Sequence, residues 1–457
     1  MRANPYSRWP SRCSRHSGWV RYRHERVKSK CFPLPVTILL AGTLWAGGAL
    51  AGVNGIVKDS TGAVAAGRGG TNISHSDNLG LISDNPAGLA WLEENLRVEF
   101  GADILFPNVK YSDPDDSDTS RGTFILPYLM IAGRKPGTPL TFGLGAYLPG
   151  GYGTRFELEH SIYGEQTYRS DGLLLKVLPC VAWRVGDRLS LGGGVGMGYS
   201  QARLEMPYTF QTGSLAGLTG LVDAKTDAFA ITWNVGLQFR VTEKLALGAT
   251  FTSQTLTKQK GSLDLDITGS PLAALVTDPT ASYDLEFQLR WPRSAGVGGS
   301  YEFDFGRASL DAVWYDWSNA LDEFKLHLSD GDNAEFNALA GRRPTDTFPL
   351  DWKDSVSIRV GYEHFLGSDT IVSMGYTYNQ NPVPNSTLTT VLPAITQHFL
   401  GAGIRHDFDL FELSVAYQYG FSEQQEVDES NIKGGDFDSS SIRVSGHFLS
   451  AAIALKF

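Results

Sequence analysis

Residues that usually carry out catalysis are scattered along this chain and form no recognisable motif. The sequence has no Gly-x-Gly-x-x-Gly loop, no Walker loop, no His-Glu-x-x-His pair and no cysteine cluster. His406 and His447 fall on or near predicted strands, but neither has a serine partner at a readable spacing, as a hydrolase would need. We therefore predict a protein without catalytic residues, metal ligands or cofactors.

A different chemistry, the binding of an oily molecule, is indicated by apolar residues in two otherwise polar stretches. The first stretch, residues 214–223, is expected to form a short helix with an apolar face. Apolar side chains on exposed loops are costly unless they pack together or receive an apolar ligand, and both alternatives remain open. The candidate groove residues are Leu215, Leu218, Leu221 and Val222 in the first stretch and Leu272, Leu275 and Val276 in the second.

The segment of residues 62–92 is apolar enough to be buried, but its pattern fits neither a long helix nor a regular strand. Its glycines permit close approaches that other residues resist, and Pro86 lacks an amide hydrogen and holds Asn85 near extended geometry. Because amphipathic strands follow, we predict a hatch, residues 52–95, packed loosely enough to move inside a barrel. An ordinary surface turn is the alternative. The expected hatch and gating residues are Gly67, Arg68, Asn85, Pro86, Ala87 and Gly88.

The first 51 residues are predicted to be a secretory signal peptide. They hold nine of the 39 Lys and Arg residues, one of the 49 acidic residues and an uncharged apolar run that ends in Ala49-Leu50-Ala51. Without this leader, 30 basic residues face 48 acidic ones, which argues against nucleic acid as a partner.

Residues 96–457 are expected to form a transmembrane barrel. Apolar residues alternate with small or polar ones in many stretches, for example from Phe229 to Val241, and the glycines of residues 192–198 would make room in a lumen. Short links alternate with long ones, which we place near residues 111–121, 150–170, 205–226, 268–280, 319–350, 379–395 and 422–438. This parity is typical of outer-membrane barrels and predicts about fourteen strands.

The final stretch alternates up to Phe457, with Leu455 and Ile453 on the same face. A terminal aromatic residue on such a strand resembles the signal that the outer-membrane barrel-assembly machinery reads. We therefore expect Phe457 to act as an assembly signal, with that machinery as a partner during biogenesis.

The chain resembles the FadL-type transporters of the outer membrane, which take up long-chain fatty acids and, in some branches, aromatic hydrocarbons. The resemblance extends from about Gly62 to Phe457 and depends on the order and spacing of several motifs. These are AGRGGTN and DNPAGLA in the hatch, and FGLGAYLPGGYGTRF, LRWPRSAGVGGSYEF, LDAVWYDWS, DWKDSVSIRVGYEH, YTYNQNPVPN and HFLGAGIRH in the barrel.

The resemblance implies an all-β fold, an antiparallel barrel of about fourteen strands whose lumen holds the hatch. The family's Asn-Pro-Ala matches Asn85-Pro86-Ala87, and its apolar groove between two long loops matches residues 215–222 and 272–276. It also implies sideways release through a gap in the wall, which requires an interrupted strand. Proline and glycine at Pro149, Gly150 and Gly151 make that stretch the candidate opening.

The expected function is passive uptake of hydrophobic small molecules, long-chain fatty acids first, across a bacterial outer membrane. Aromatic or alkane hydrocarbons taken up by the same route are one alternative, and a non-transporting structural or adhesive barrel is another. The other expected partners are outer-membrane lipid and lipopolysaccharide.

Overall fold

The alternating pattern produces long antiparallel strands in the computed structural model, which describes residues 55–457. The predicted signal peptide lies outside these residues. The strands are β1 (Leu96–Ser112), β2 (Ser117–Arg121), β3 (Phe124–Arg134), β4 (Leu140–His160), β5 (Gly164–Val185), β6 (Leu189–Thr209), β7 (Thr219–Arg240), β8 (Leu245–Thr252), β9 (Thr255–Asp266), β10 (Thr280–Trp291), β11 (Ser294–Phe303), β12 (Gly306–Tyr315), β13 (Glu323–Ser329), β14 (Thr345–Pro349), β15 (Ser355–Leu366), β16 (Thr370–Asn379), β17 (His398–Asp407), β18 (Phe411–Phe421), β19 (Gln425–Val427) and β20 (Ser440–Lys456).

Helices in residues 55–457 are short. The α-helices are α1 (Ala63–Gly67), α2 (Leu81–Asp84), α3 (Trp317–Ala320) and α4 (Ala334–Ala340), and single 3-10 turns or short 3-10 helices cover Pro86–Trp91, Gly213–Leu215, Pro271–Leu275 and Asn385–Thr387. No helix in this part of the chain is both long and apolar enough to cross a bilayer.

The sheet closes on itself because β20 pairs with β1, from Arg97 opposite Lys456 to Ser112 opposite Ser441. Leu96 and Phe457 complete the closure by exchanging backbone hydrogen bonds of 3.1 and 2.9 Å. Strands β8 and β9 together form one crossing, because both pair with β7, and β10 and β11 form the next, because they pair with β9 and β8. The short strands β2, β13, β14 and β19 pair with their neighbours over only three to five residues and are not counted as crossings. Counted in this way, the described residues form a closed barrel of fourteen antiparallel strands, and the predicted fold is confirmed.

Side chains alternate across the wall as the period of two requires. On β7, Phe229 and Ile231 are 65% and 72% exposed on the outer face, while Thr232, Asn234 and Gln238 are buried on the inner face. The outer face is thus the apolar one, which suits contact with lipid.

The short links between strands, at residues 135–139, 186–188, 241–244, 304–305, 367–369 and 408–410, lie at one end of the barrel, here called the short-turn end. Three of the predicted long loops are wrong, because residues 111–121, 150–170 and 205–226 are mostly strand. β4 and β5 remain paired up to His160 opposite Gly164, and β6 and β7 up to Thr209 opposite Thr219. Cross-strand pairing satisfies the backbone groups of polar residues in these stretches, for example at Thr154, which lies opposite Ser170.

Candidate functional site

The lumen is occupied by residues 55–95, here called the luminal segment, which touches the wall on all sides. Gly67 lies against Gly403, Ile73 lies against Gly248, and Ile82 lies against Gly143. Trp91, near the end of the segment, donates a hydrogen bond of 2.8 Å to the Ser190 hydroxyl. The position agrees with the predicted hatch, and the segment's gating role remains a prediction.

The wall and the segment approach each other so closely that side chains are excluded at several inward positions. A Cβ atom on Gly192 would overlap the backbone of Pro86 and Ala87, and one on Gly236 would overlap the Asn85 side chain. Glycine is therefore required sterically on these strands. The expectation that the glycines of β6 make room in the lumen is confirmed at Gly192.

Asn85 ties three pieces of backbone together. Its amide nitrogen donates to the carbonyl of Ile73 at 2.7 Å and to that of Leu237, on the wall, at 3.1 Å. Its side-chain oxygen accepts from the Ala87 amide at 3.2 Å and caps the 3-10 helix that Pro86 begins. Gly88 passes directly over the His75 carbonyl, where a Cβ atom would lie 2.6 Å from the oxygen.

Arg68 is completely buried and organises a second anchor near the short-turn end. Its guanidinium donates to Asp77 and Glu363 at 3.1 and 3.2 Å, to the Asn72 side chain at 2.5 Å and to the Thr71 carbonyl at 2.7 Å. Every group that the guanidinium reaches is a good acceptor, so the cost of burying the charge is offset.

Two arginines from the wall enter the same cluster. Arg307 lies 2.5 Å from Asp77 and 2.7 Å from Glu363, and Arg405 lies 3.3 Å from Asp77. Although burial acts to raise the pKa of Asp77, the guanidinium groups of Arg68, Arg307 and Arg405 hold it well below its ordinary value. Burial, with Arg68 next in importance, lowers the pKa of His75 well below its ordinary value, so the imidazole is neutral at pH 7.

His75, Asp77 and Glu363 bring ligand atoms within 4.8 Å of one another, the spacing of a metal site. Three arginines contact the two carboxylates, however, and a divalent cation would add charge where positive charge is already in excess. The arrangement is an ion-pair network that fastens the luminal segment to β12, β15 and β17.

The wall itself is interrupted beside Pro149. Pairing between β3 and β4 ends at Leu129 opposite Ala146, and the register of β4 against β5 shifts between Tyr147 and Gly150. The luminal segment supplies the missing partner, since the Lys58 amide donates to the Pro149 carbonyl at 2.8 Å and the Gly151 amide donates to the Ile56 carbonyl at 3.0 Å. These hydrogen bonds form a one-residue bridge in which Val57 lies opposite Gly150.

An apolar pocket of about 90 Å³ lies deeper in the lumen, away from the short-turn end. Sequence reasoning missed it because its lining comes from eight strands and the loop before β17, and all of these except β6 contribute only one or two residues. Arg203 is the charged residue at its edge, and pairs with Glu205 at 2.9 Å and Asp223 at 3.6 Å. The apolar and aromatic lining includes Tyr152, Leu204, Met206, Tyr208, Leu263, Leu285, Phe287, Phe324, Leu326, Phe348 and Leu392.

The short-turn end presents a vestibule of a different kind. It measures about 530 Å³ and is open to solvent beneath the luminal segment. Its lining is predominantly charged and includes Asp77, Glu93, Glu94, Arg97, Arg240, Lys244, Glu302, Arg307, Asp369, Arg405, Asp407 and Lys456.

The predicted helix in residues 214–223 is wrong. Only Gly213–Leu215 is helical, and Leu221 and Val222 belong to β7, where Val222 lies opposite Met206 and Leu265. Pairing on both sides satisfies the backbone better than one isolated turn of helix would.

The candidate groove residues fall into two groups. Leu215 and Val222 are buried in one large apolar cluster, and Leu218 and Val276 pack against it, so mutual packing accounts for these four. Leu221 and Val222 also line a polar groove between the outer hairpins. Leu272 and Leu275 are 42% and 76% exposed, and they remain the residues available to an external ligand.

A plugged, closed barrel with an apolar outer face defines a class of outer-membrane proteins. A protein family described as "Outer membrane protein transport protein (OMPP1/FadL/TodX)" matches residues 42–457, and the chain belongs to this family. It is an outer-membrane transporter of the class that carries hydrophobic compounds.

Relatives and similar structures agree with this assignment. The long-chain fatty acid transport protein of Escherichia coli K12 is 22% identical over 385 residues, which cover 76% of this chain and 83% of that protein. The crystal structure of a Pseudomonas aeruginosa FadL homologue has a TM-score of 0.72 at 17% identity. The match covers 88% of this chain and 100% of the homologue's chain. The crystal structure of the Ralstonia pickettii toluene transporter TbuX has a TM-score of 0.67 at 18% identity. The match covers 87% of this chain and 99% of TbuX. At these identities the structures establish the fold.

Proposed function

We propose that the protein takes up hydrophobic small molecules passively, with long-chain fatty acids as the principal substrates. The observation that carries this proposal is an apolar pocket inside a barrel whose wall is interrupted nearby at Pro149, with the luminal segment bridging the interruption. The relatives named as fatty acid and toluene transporters support the substrate class.

The proposed route begins at the exposed Leu272 and Leu275 and continues into the apolar pocket. Residues 56–58 then separate from Pro149–Gly151, and the ligand leaves sideways into the bilayer. The charged lining of the vestibule favours this exit over the short-turn end, where an oily molecule would displace water from many charges. Transfer from water to lipid releases about 0.8 kcal/mol per CH₂ group, so the route needs no energy input.

Two alternative functions remain. Five aromatic rings line the pocket (Tyr152, Tyr208, Phe287, Phe324 and Phe348), and they would also suit aromatic hydrocarbons. A non-transporting adhesive barrel would have no need of the pocket. We further propose that Phe457 is read by the assembly machinery, and that membrane lipid and lipopolysaccharide surround the outer face.

Uptake by purified protein in lipid vesicles tests the proposal. Labelled palmitate and toluene should enter faster than into empty vesicles, and Ala224→Phe, which fills the pocket from β7, should abolish the gain. Asp227→Phe places the same ring on the exposed side of β7 and should transport normally. Equal uptake by wild-type and empty vesicles would overturn the function, and normal uptake by Ala224→Phe would remove the pocket from the route.

A further inference from the structure

Lys176 differs from the other buried cations of the lumen. Its side chain is on the inner face of β5, and the residue is only 6% exposed. Within residues 55–457, the Lys176 side chain makes no hydrogen bond and no ion pair. By contrast, Arg68, Arg359 and Lys58 are each paired with a carboxylate, and the Lys58–Asp103 pair is 2.5 Å long.

An unpaired ammonium group in such a place is expensive. Moving a charge out of water without a partner costs several kcal/mol, and proteins normally avoid this by pairing the group or exposing it. A methionine at this position would fill similar space without the cost. The lysine is therefore explained best by a partner that arrives with the ligand.

The surroundings of Lys176 place that partner at the wall interruption. Lys176 lies opposite Tyr147 on β4, the residue at which the register shift begins. It also lines a cavity of about 90 Å³ together with Val57, Pro149 and Leu174. The cavity is thus bounded by the hydrogen-bonded bridge that closes the interruption.

The cavity and the apolar pocket follow each other along the same inner face of β5. Ser170 lines the pocket, Leu174 belongs to the apolar cluster that surrounds it, and Lys176 follows on the same inner face. Six residues of strand separate Ser170 from Lys176, which corresponds to about 20 Å. A cation at one end and apolar walls at the other fit an elongated molecule with one acidic head.

We propose that Lys176 is the site that receives the carboxylate of a long-chain acid when the acid reaches the wall interruption, and that it selects acids over neutral hydrocarbons. The inference depends on the proposed function and narrows its substrate class. In this arrangement the acyl chain occupies the apolar pocket, and the carboxylate supplies the partner that Lys176 lacks. A compact neutral hydrocarbon would leave the ammonium group unpaired.

Equilibrium binding to the folded, detergent-solubilised barrel tests this inference with palmitate, methyl palmitate and hexadecane. Lys176→Met should weaken palmitate binding by about tenfold or more, because a charge-assisted hydrogen bond is lost, and should leave hexadecane binding unchanged. Lys176→Arg should retain palmitate binding. Lys260→Met, which removes an exposed lysine paired with Glu286 on the outer surface, is the matched control and should bind like wild type.

The wild-type protein provides a second test if Lys176→Met does not fold. It should bind palmitate about tenfold or more tightly than methyl palmitate, which has the same chain and no charge. Equal binding of these two compounds, or unchanged palmitate binding by Lys176→Met, would overturn the role of Lys176 and leave the transport function standing. Failure of the wild-type protein to bind any of the three compounds would overturn both.

Discussion

Two regions of the lumen differ in whether their buried charged side chains have partners. Around Arg68, three arginines pair with two carboxylates, and Asn85 is hydrogen-bonded on both sides. We call this region the anchored region. Around Lys176, called the open region, the ammonium group has no partner among the described residues, and the wall is held together by a one-residue bridge. The first region contributes stability, whereas the second is left unsatisfied for a ligand to complete.

The comparison indicates which part of the luminal segment moves during transport. The sequence predicts a hatch packed loosely enough to move, and this mobility stays a prediction, but residues 62–92 are almost entirely buried. Moving them would break the Arg68 network and the Asn85 hydrogen bonds together. Separating Ile56 and Lys58 from the wall breaks two backbone hydrogen bonds and the Lys58–Asp103 ion pair, which are fewer contacts than the Arg68 network and the Asn85 hydrogen bonds together, so we place the movement there.

The largest effect is expected from deleting the part of the luminal segment that contributes to both regions. Deletion of residues 55–85 should leave an assembled barrel that conducts small ions, because fourteen strands enclose more space than wall side chains fill. Single-channel conductance in planar bilayers measures this, with wild type as the closed reference. A deletion variant that is as closed as wild type would show that the luminal segment does not seal the pore.

A matched pair of substitutions, one in each region, should change the free energy of unfolding in different directions. Arg68→Met removes the buried donors to Asp77, Glu363 and the Asn72 side chain, and should lower the free energy of unfolding by about 3–5 kcal/mol. Lys176→Met removes a charge without a partner and should leave that free energy unchanged or raise it. Urea unfolding in lipid vesicles measures both, and Arg68→Lys, which keeps the charge, should lose less than Arg68→Met. If Arg68→Met and Lys176→Met lower the free energy of unfolding equally, the distinction between the anchored region and the open region is wrong.

A smaller effect should appear with pH at Asp84, which lines the same cavity as Lys176. Burial raises the pKa of Asp84 from 3.8 to about 6, and the 2.7 Å hydrogen bond from Asn72 opposes this rise only in part. The contribution of Asp84 to folding is therefore complete below its unfolded pKa and is lost as the pH rises through about 6. Relative to Asp84→Asn, wild type should lose stability between about pH 4 and pH 7. If the free energies of unfolding of wild type and Asp84→Asn change with pH in parallel, the raised pKa of Asp84 is contradicted.

The smallest effect is expected at the loop surface. Leu272→Ser combined with Leu275→Ser should reduce uptake at low ligand concentration by no more than about tenfold, because the two side chains contact the ligand only before entry. Leu339→Ser alters a leucine that is 74% exposed on α4, and it should have no effect. Leu215 and Leu218 are left intact because they pack in the cluster. Unchanged uptake by the double variant at every concentration would exclude capture at these residues.

Local patterns were enough to predict the barrel, and together with the family resemblance they predicted a hatch ahead of it and an interrupted strand at Pro149. Alternation identifies strands wherever one face meets lipid, and Pro149 marks a break because it has no amide hydrogen to donate. The apolar pocket was not predictable, since register and closure bring its lining together from distant strands. Lys176 did carry a signal, because the alternation puts it on the same inner face as Leu174 and Leu178, but its lack of a partner depends on the folded barrel.

The central claim is that residues 56–58 leave the wall during transport, and a covalent tether tests it most directly. Lys58→Cys with Asp103→Cys, in a Cys180→Ser background, puts two thiols where an ion pair joins the luminal segment to β1. Joining them with a short bis-maleimide should abolish palmitate uptake by vesicles, while the untethered double variant and each single variant treated with the reagent should transport. Undiminished uptake by the fully tethered barrel would contradict the account.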